Sequence, residues 1–511
     1  MTRVVPVLSA AQAAATDAAT IGAGTPSLTL MERAGAASVH VIRERYASTL
    51  LDGVRVLTGP GNNGGDGWVV ARLLAQEGLP VAVEMVGEPK TADARAMRDR
   101  AAGCLTSDRL PGARVLVDAL LGTGARGEPR GAIGESVRAL RAARADGATV
   151  VALDIPSGLD ATTGEATLVA PAHCTVTFGS AKRGQLLARA VVGELVVVDI
   201  GLGEPAGDGM IAELVTAEWV RETVPPIVPE AHKGTRRKLA IIGGAEGMAG
   251  AVILAARSAL RSGIGMVKVI VHPASLPAVQ AAVPAALAAT WPAGDDQAAE
   301  LLSWADGVLI GPGLGGGAAS RAMVERILGV ADRPAVLDAD ALNACRGEAK
   351  ALGSRLRGRA ALLTPHPAEA ARLGGVAIDE VLARRFEFAG ELAATTQAGV
   401  LLKGVPTVIA GVDGRTMVSG RGTAALATAG SGDVLAGIAA TLLVQIGEAV
   451  RAGACAAFVH GRAAEVADPS GSARGVDLDD VLTALGPAWR VWPRAPRAPV
   501  LAELPALGEP S

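Results

Sequence analysis

At 511 residues the chain exceeds what one hydrophobic core usually serves, so two domains are expected. Half of the residues are hydrophobic but only 2% are aromatic, so Ala, Val and Leu must fill the cores, which suits parallel sheets covered by helices. A formal net charge of -3 supplies no electrostatic reason for a nucleic acid or an anionic lipid surface as partner.

The N-terminal stretch carries Arg3 and many alanines but is interrupted by Asp17 and Glu32, which reads as a retained helix rather than a signal peptide. Short β-branched runs then alternate with helical stretches. Strands are expected at Val54–Thr58, Val81–Val86, Arg114–Asp118, Thr149–Asp154, Cys174–Phe178 and Leu195–Asp199, and helices at Trp68–Glu77, Ala92–Ala101 and Ile133–Ala145. Such alternation argues a doubly wound parallel sheet. Val224-Pro225-Pro226-Ile227-Val228-Pro229 follows as an extended linker, and the basic run from His232 to Lys238 reads as a solvated stretch. A second series begins there, with strands near Leu239–Ile242, Val267–Val271, Gly307–Ile310, Ala335–Asp338 and Val400–Lys403. Its helices are expected at Gly250–Arg261, Arg321–Leu328, Ile378–Gln397 and Gly432–Val444. The expected organisation is therefore a first domain over 1–222, a linker over 223–232, a second domain over 233–491 and an irregular Pro-rich tail over 492–511.

Cys104, Cys174, Cys345 and Cys455 are far apart and form no CxxC pair, and the six histidines are equally dispersed. Neither a disulfide framework nor a zinc site is indicated, and a reducing cytoplasm fits. The longest stretch without Asp, Glu, Lys or Arg runs from Val269 to Gly294, but Pro273, Pro277, Pro284 and Pro292 break it as a membrane span.

Gly59-Pro60-Gly61-Asn62-Asn63-Gly64-Gly65-Asp66-Gly67 lies between an expected strand and helix, where glycines let a ligand approach the backbone and a helix start favours phosphate. Gly59, Gly61 and Gly64 satisfy the GxGxxG spacing, a weak signal in a chain with 65 glycines. The Asn pair and Asp66 look instead like ligand and ion contacts. Two further strand ends read Asp118-Ala119-Leu120-Leu121-Gly122-Thr123-Gly124 and Asp154-Ile155-Pro156-Ser157-Gly158-Leu159-Asp160. A single such Asp would be read as a turn or helix cap, whereas these strand ends together point to one crevice.

In this order, and with Leu30-Met31-Glu32-Arg33-Ala34-Gly35, Lys182 and Val197-Val198-Asp199-Ile200-Gly201, the motifs resemble the NAD(P)H-hydrate epimerase family over essentially the whole first domain. The resemblance implies that Asn62, Asn63, Gly64, Gly65 and Asp66, with Gly122, Thr123, Gly124, Ala125, Arg126, Gly127 and Glu128, hold the hydrated nicotinamide nucleotide. It further implies that Asp154 faces the substrate and that Asn63, Asp118 and Ser157 bind potassium, for which amide, carboxylate and hydroxyl oxygens are suited. Inverting C6 of a hydrated ring requires proton transfers at a hydroxyl-bearing carbon, and Asp154 is assigned as the acid/base catalyst.

The sharpest signal in the second half is Ala429-Gly430-Ser431-Gly432-Asp433, whose small residues leave backbone N–H groups free to cradle an anion at a helix start. Asp433 has the wrong charge to clamp phosphate but the right chemistry to take a proton from an attacking hydroxyl. The pattern resembles the ribokinase-like superfamily, and no GxxxxGK[ST] loop is present. Further motifs narrow the resemblance: Gly250-Ala251, Ala259-Leu260-Arg261-Ser262-Gly263, Gly311-Pro312-Gly313-Leu314-Gly315, Leu337-Asp338-Ala339-Asp340-Ala341-Leu342-Asn343, Leu363-Thr364-Pro365-His366-Pro367-Ala368-Glu369 and Leu402-Lys403-Gly404. Together they resemble the ADP-dependent NAD(P)H-hydrate dehydratase family from about Lys233 to Ala467. The chain departs from it at Gly422-Thr423-Ala424-Ala425, where the family shows Gly-Asn-Pro-Gly, and at Ala429–Asp433, where it shows Gly-Gly-Thr-Gly-Asp. The resemblance implies that Ala251, Gly313, His366 and Asp433 contact the hydrated dinucleotide, while Lys403, Gly404, Val405, Pro406, Thr407 and Gly432 contact ADP.

The expected fold is α/β throughout, a Rossmann-like doubly wound sheet followed by a ribokinase-like domain. The expected function is repair of hydrated NADH and NADPH by an epimerase fused to a dehydratase, with potassium, magnesium and ADP as co-substrate. The expected partners are these small molecules, with no nucleic acid and no membrane, in a cytoplasmic homo-oligomer. Other readings stay open from sequence: a vitamin kinase releasing a stable phosphorylated product, a non-catalytic first domain, and more distantly a nicotinamide dehydrogenase.

Overall fold

The computed structural model describes residues 4–104, 110, 112–330, 332–492 and 495–507, so Arg3 and the tail positions 493–494 and 508–511 lie outside the described residues. The chain divides into two compact units, one formed by residues 4–214 with 495–507 and the other by 215–492.

The first unit is built on a 7-stranded sheet ordered Val500–Leu504, Glu194–Val198, Cys174–Phe178, Thr149–Leu153, Val115–Ala119, Val54–Thr58, Val81–Met85. All neighbours run parallel except Val500–Leu504, which is antiparallel to Glu194–Val198. Both faces are covered, which explains why the strands read as apolar runs rather than alternating ones. Val56, Val117, Val151 and Val196 pack against Ile42, Val70 and Leu74 on one side, while Leu57, Leu116 and Val150 pack against Val137 and Leu140 on the other. A smaller arrangement joins Pro6–Leu8 parallel to Ala181–Lys182 and antiparallel to Ala212–Leu214.

The chain leaves Val54–Thr58 outward to Val81–Met85 and returns on the opposite side to Val115–Ala119. That reversal opens a crevice at the carboxyl ends of the two inner strands, the usual ligand position in such sheets. Its floor is closed by direct backbone contact, because a Cβ on Gly59 would stand 1.8 Å from the carbonyl oxygen of Leu120.

The second unit repeats the principle. Leu287–Thr290, Met266–Val271, Lys238–Gly243, Gly307–Ile310, Ala335–Leu337, Ala361–Leu363 and Gly399–Leu402 form a parallel sheet in that order, extended antiparallel by Thr407–Ala410 and Thr416–Ser419. Here the reversal lies between Lys238–Gly243 and Gly307–Ile310. The helix Ser431–Ile446 is buried along most of its length against Ala249–Arg261. The two approach so closely at Gly437 that a Cβ there would meet Ser258 Oγ at 2.1 Å.

Several expectations change. The structure divides the chain between Leu214 and Val215, because Val215 and Val220 belong to the second core and the Val215 N–H donates to Val418 O. The stretch expected as one helix over 378–397 is two, Ile378–Ala383 and Arg385–Thr396, and the first-unit helix begins at Asn62 rather than Trp68. The tail is not irregular throughout. It carries the strand Val500–Leu504, whose inward Val500, Ala502 and Leu504 satisfy the sheet edge and the core. The charge-free stretch from Val269 becomes strand and short helices, and among the described residues no helix is long and apolar enough to cross a membrane.

Deleting residues 495–511 should strip this strand from the first unit and leave Glu194–Val198 as an open edge. Burial of a Val or Leu side chain contributes about 1.5–3 kcal/mol, so calorimetry should show the first unit's Tm lowered by roughly 5–10 °C. An unchanged transition would mean that the strand contributes no stability.

Candidate active sites

The crevice of the first unit holds a cavity of about 530 Å³ bordered by Asn63, Asp66, Gly122, Asp154 and Lys182 among others. Asn63 and Asp66 lie in the first turns of the helix Asn62–Gln76, and Asp118 and Asp154 sit at or just beyond the ends of Val115–Ala119 and Thr149–Leu153. Asp154 adopts φ 60°, a left-handed conformation that costs free energy outside glycine. It is held there by its N–H donating to Val176 O at 2.7 Å and by its carbonyl accepting from Gln185 Nε2 at 2.6 Å. Lys182, 2% exposed, donates through its ammonium to Asp154 Oδ1 at 2.7 Å and to Thr177 Oγ1 at 2.8 Å, with the Phe178 and Ser180 carbonyls at 3.2 and 3.3 Å.

Asp118 accepts from the Ser157 hydroxyl at 2.6 Å and from the Ser157 N–H at 2.9 Å. Burial pushes its pKa up, and these hydrogen bonds pull it partly back. Ser157 Oγ accepts from the Leu121 N–H and Asn63 Nδ2 donates to Leu121 O, both at 2.9 Å. Asn63, Asp118 and Ser157 thus converge around Leu121, and Asn63 Oδ1 is left buried without a partner. An orphaned amide oxygen near a carboxylate and a hydroxyl fits a hard monovalent cation.

Asn62 and Gly122 to Ala125 also border the cavity, whereas Gly64, Gly65, Arg126, Gly127 and Glu128 are not among its lining residues. Gly64 backs onto the Gly59 carbonyl and Gly65 onto Met31 Sδ, so both serve close packing. Arg126 points to Asp160 at 2.9 Å and is largely exposed. Three charged cavity residues escaped assignment from sequence, Lys182, Asp17 and Asp93. Lys182 appears there only as part of a motif, and Asp17 only as a charge interrupting an alanine-rich helix.

In the second unit the strand ends bring together Asp338, Thr364, His366 and Lys403. Lys403 Nζ donates to Asp338 Oδ1 at 2.9 Å and lies 3.8 Å from Glu369 Oε2, and the Thr364 hydroxyl donates to Asp338 at 2.8 Å. Burial alone would lower the Lys403 pKa, but the Asp338 and Glu369 carboxylates hold it above the usual lysine value. The N-terminus of Ser431–Ile446 abuts this pair, since a Cβ on Gly432 would lie 3.1 Å from Lys403 Nζ. Asp433, in the first turn, is pushed up to about 7 by burial first and by the Asp338 carboxylate next, with Lys403 opposing.

His366 caps the helix Pro367–Gly374: its Nδ1 accepts from the Ala368 N–H at 3.2 Å, and Glu369 accepts from the His366 N–H at 2.9 Å. Burial and then the Lys403 and Arg372 charges lower its pKa, which favours the neutral imidazole. Gly313 and Ala251 are neighbours, with a Cβ on Gly313 lying 3.1 Å from Ala251 Cβ. The segment Lys403–Thr407 forms a partly exposed loop in which Thr407 Oγ1 donates to Gly404 O at 3.0 Å. Arg385, not anticipated, supports it by donating to Pro406 O at 2.8 Å. Among the described residues no group of His, Cys, Asp or Glu forms a metal cage, so a divalent ion here would depend on few carboxylates and on ligand oxygens.

The NAD(P)H-hydrate dehydratase family matches residues 239–486, and the family described as YjeF-related protein N-terminus matches residues 27–184. The bifunctional NAD(P)H-hydrate repair enzyme Nnr of Coxiella burnetii is 35% identical over 478 residues, covering 90% of this chain and 94% of its own length. The enzyme of the same name from Escherichia coli is 34% identical, covering 89% of this chain and 88% of its own. Among solved structures, the ADP/ATP-dependent NAD(P)H-hydrate dehydratase of Bacillus subtilis, co-crystallised with ATP/Mg2+, is 32% identical with a TM-score of 0.48, covering 54% of this chain and 97% of that one.

The environment of Asp433 predicts that its carboxyl carbon, followed by NMR, titrates with a midpoint at about 7. Asp338→Asn removes a neighbouring negative charge and releases Lys403, so the midpoint should move down. A midpoint unmoved by Asp338→Asn would show that burial alone sets it.

Proposed function

The chain belongs to the family of bifunctional NAD(P)H-hydrate repair enzymes, and from that premise we propose how its two units divide the work. The first inverts C6 of the hydrated nicotinamide ring, interconverting the R and S forms. The second dehydrates the S form at the expense of ADP, giving NAD(P)H, AMP and phosphate. The observation that carries this division is that each unit has, beside the carboxyl ends of its parallel strands, a lysine paired with one aspartate and a second aspartate close by.

In the first unit Asp154 exchanges protons at the C6 hydroxyl, held in place by the Lys182 ammonium. Asn62, Asn63, Asp66 and the Gly122–Ala125 turn border the space for the nucleotide. Asn63 Oδ1, Asp118 and Ser157 would hold potassium, which would supply a fixed positive charge beside the nucleotide.

In the second unit Asp433 takes the proton of the C6 hydroxyl as that oxygen attacks the β-phosphorus of ADP. AMP leaves, then inorganic phosphate departs from C6 as the ring nitrogen donates its pair, and loss of a C5 proton restores the dihydronicotinamide. The helix N-terminus at Ser431–Asp433 and the Lys403 ammonium stand where the transferred phosphoryl needs positive potential. Magnesium bound with the nucleotide would neutralise phosphoryl charge. Ala251, Gly313 and His366 are assigned to the dinucleotide, and Lys403–Thr407 with Gly432 to ADP. The four cysteines are free, which supports a reducing cytoplasm.

Incubating the full chain with mixed hydrate epimers should restore dihydronicotinamide absorbance completely, only with ADP present, and with release of inorganic phosphate. A stable phosphorylated product would instead identify a kinase. Asp433→Ala should abolish ADP-dependent dehydration and spare epimerisation, whereas Asp154→Asn should slow epimerisation by on the order of 10²–10⁴-fold and spare dehydration of the S form. Equal loss of both activities in either variant would defeat the two-site reading. Because Asp433 works as a base, dehydration should gain rate as pH rises through about 7.

A further inference from the structure

Building on the epimerase reading of the first unit, we propose that Asp66 is the proton donor of epimerisation, working with Asp154 as the base. The two carboxyl groups border one cavity but have unlike surroundings. Asp154 Oδ1 accepts from Lys182 at 2.7 Å and from Thr177 at 3.3 Å, so this carboxyl is bonded directly to a cation. Asp66 is 9% exposed, and its carboxyl has no hydrogen bond among the described residues.

Charge balance leads the same way. Among the described residues Lys182 is the one cation lining the cavity, against Asp17, Asp66, Asp93 and Asp154. Its three N–H donors are directed to Asp154, Thr177 and the Phe178 and Ser180 carbonyls, leaving none for Asp66. Asp118 is taken up by Ser157. On the elements packed around the Asp66 helix the arginines are engaged elsewhere. Arg33 donates to Ile200 O, Arg95 to the Pro89 and Lys90 carbonyls, Arg98 to Glu88 and Asp99, and Arg72 and Arg100 to Glu32, while Arg55 lies nearest Glu84. A buried carboxyl that faces a carboxylate and lacks a cation keeps its proton. Burial, then the Asp154 and Asp17 charges, raise the Asp66 pKa well above the carboxylate range.

The step balances without any redox partner. Asp66 protonates the C6 hydroxyl, the C6–O bond breaks and its electron pair leaves with water, while the ring nitrogen's lone pair forms N1=C6. Water adds to the opposite face, the N1=C6 pair returns to nitrogen, and the proton of the added water passes to Asp154. Solvent then takes the proton from Asp154 and returns one to Asp66.

The test uses the full chain without ADP, following one resolved hydrate epimer by chromatography across pH. Since Asp66 acts protonated, wild-type kcat should fall on the alkaline side as that proton is lost. Asp66→Asn should reduce kcat by on the order of 10²–10⁴-fold and abolish the alkaline limb. Asp66→Glu should restore a titrating limb, and a retained first thermal transition certifies the fold of each variant. An Asp66→Asn protein that keeps its rate, or keeps the alkaline limb, overturns the assignment. If Asp154→Asn is inactive while Asp66→Asn is not, the epimerase reading stands and this proposal alone falls. A wild-type chain that does not interconvert the epimers overturns both.

Discussion

Both sites depend on backbone contact between the two loops that flank each sheet reversal. A Cβ on Gly59 would stand 1.8 Å from Leu120 O, and a Cβ on Gly243 would stand 2.0 Å from Pro312 O. Any side chain at either glycine would push the neighbouring loop away. With the loops seated, the reach of the site residues follows. Asn63 spans to Leu121 O, whose own N–H is held by Ser157, and Asp338 lies within reach of both Lys403 and Thr364. The chemistry of each unit is therefore set by a steric condition on the main chain before any charge is placed.

Charge is then distributed by the same rule in both crevices. One buried lysine is committed to one aspartate, Lys182 to Asp154 and Lys403 to Asp338. Each such pair compensates desolvation that neither ion could bear alone, since removing one partner leaves a buried uncompensated charge. A further carboxyl in each site lacks a direct lysine bond and has a raised pKa, Asp66 in the first and Asp433 in the second. Separating the proton affinities of neighbouring carboxyl groups is what allows one site to hold both an acid and a base near neutral pH.

The parts legible in the sequence are those where local chemistry and position coincide. Asp118, Asp154 and Asp433 announce themselves because they adjoin glycine-rich turns at strand or helix ends, and the strand cores of both sheets emerge as Val-rich runs. Lys182, Asp17 and Arg385 lack such surroundings; their importance arises from which distant segment they meet. The helix Ala449–Ala467 escapes for the opposite reason. It is buried around much of its circumference by Ala, Gly and Cys, so its apolar pattern has little polar face to contrast with. The tail strand is hidden by the prolines around it, and its place in the sheet is decided by an edge on a strand some three hundred residues earlier. Even the glycine-rich stretch after Val54–Thr58 divides, with Gly61 ending the loop and the glycines from Gly64 on buried inside the helix.

The departure at Gly422–Ala425 can be followed in the same physical terms. The family pattern there, Gly-Asn-Pro-Gly, places a side-chain cap before a residue suited to the first turn of a helix. In this chain Thr423 occupies the capping position of the short 3-10 helix Ala424–Leu426, and its hydroxyl accepts from the Ala425 N–H at 3.2 Å. Threonine for asparagine keeps a side-chain oxygen where the turn needs an acceptor, and alanine for proline keeps the helical start while restoring an N–H. The entry to the turn is fixed separately. The Gly422 N–H donates to Glu465 Oε1 at 3.1 Å, and the same carboxylate pairs with Arg421, whose guanidinium lies over the Phe458 ring. Different side chains therefore provide the cap and anchor for the turn that precedes the Gly430–Asp433 helix start, so its architecture does not require the family's own residues.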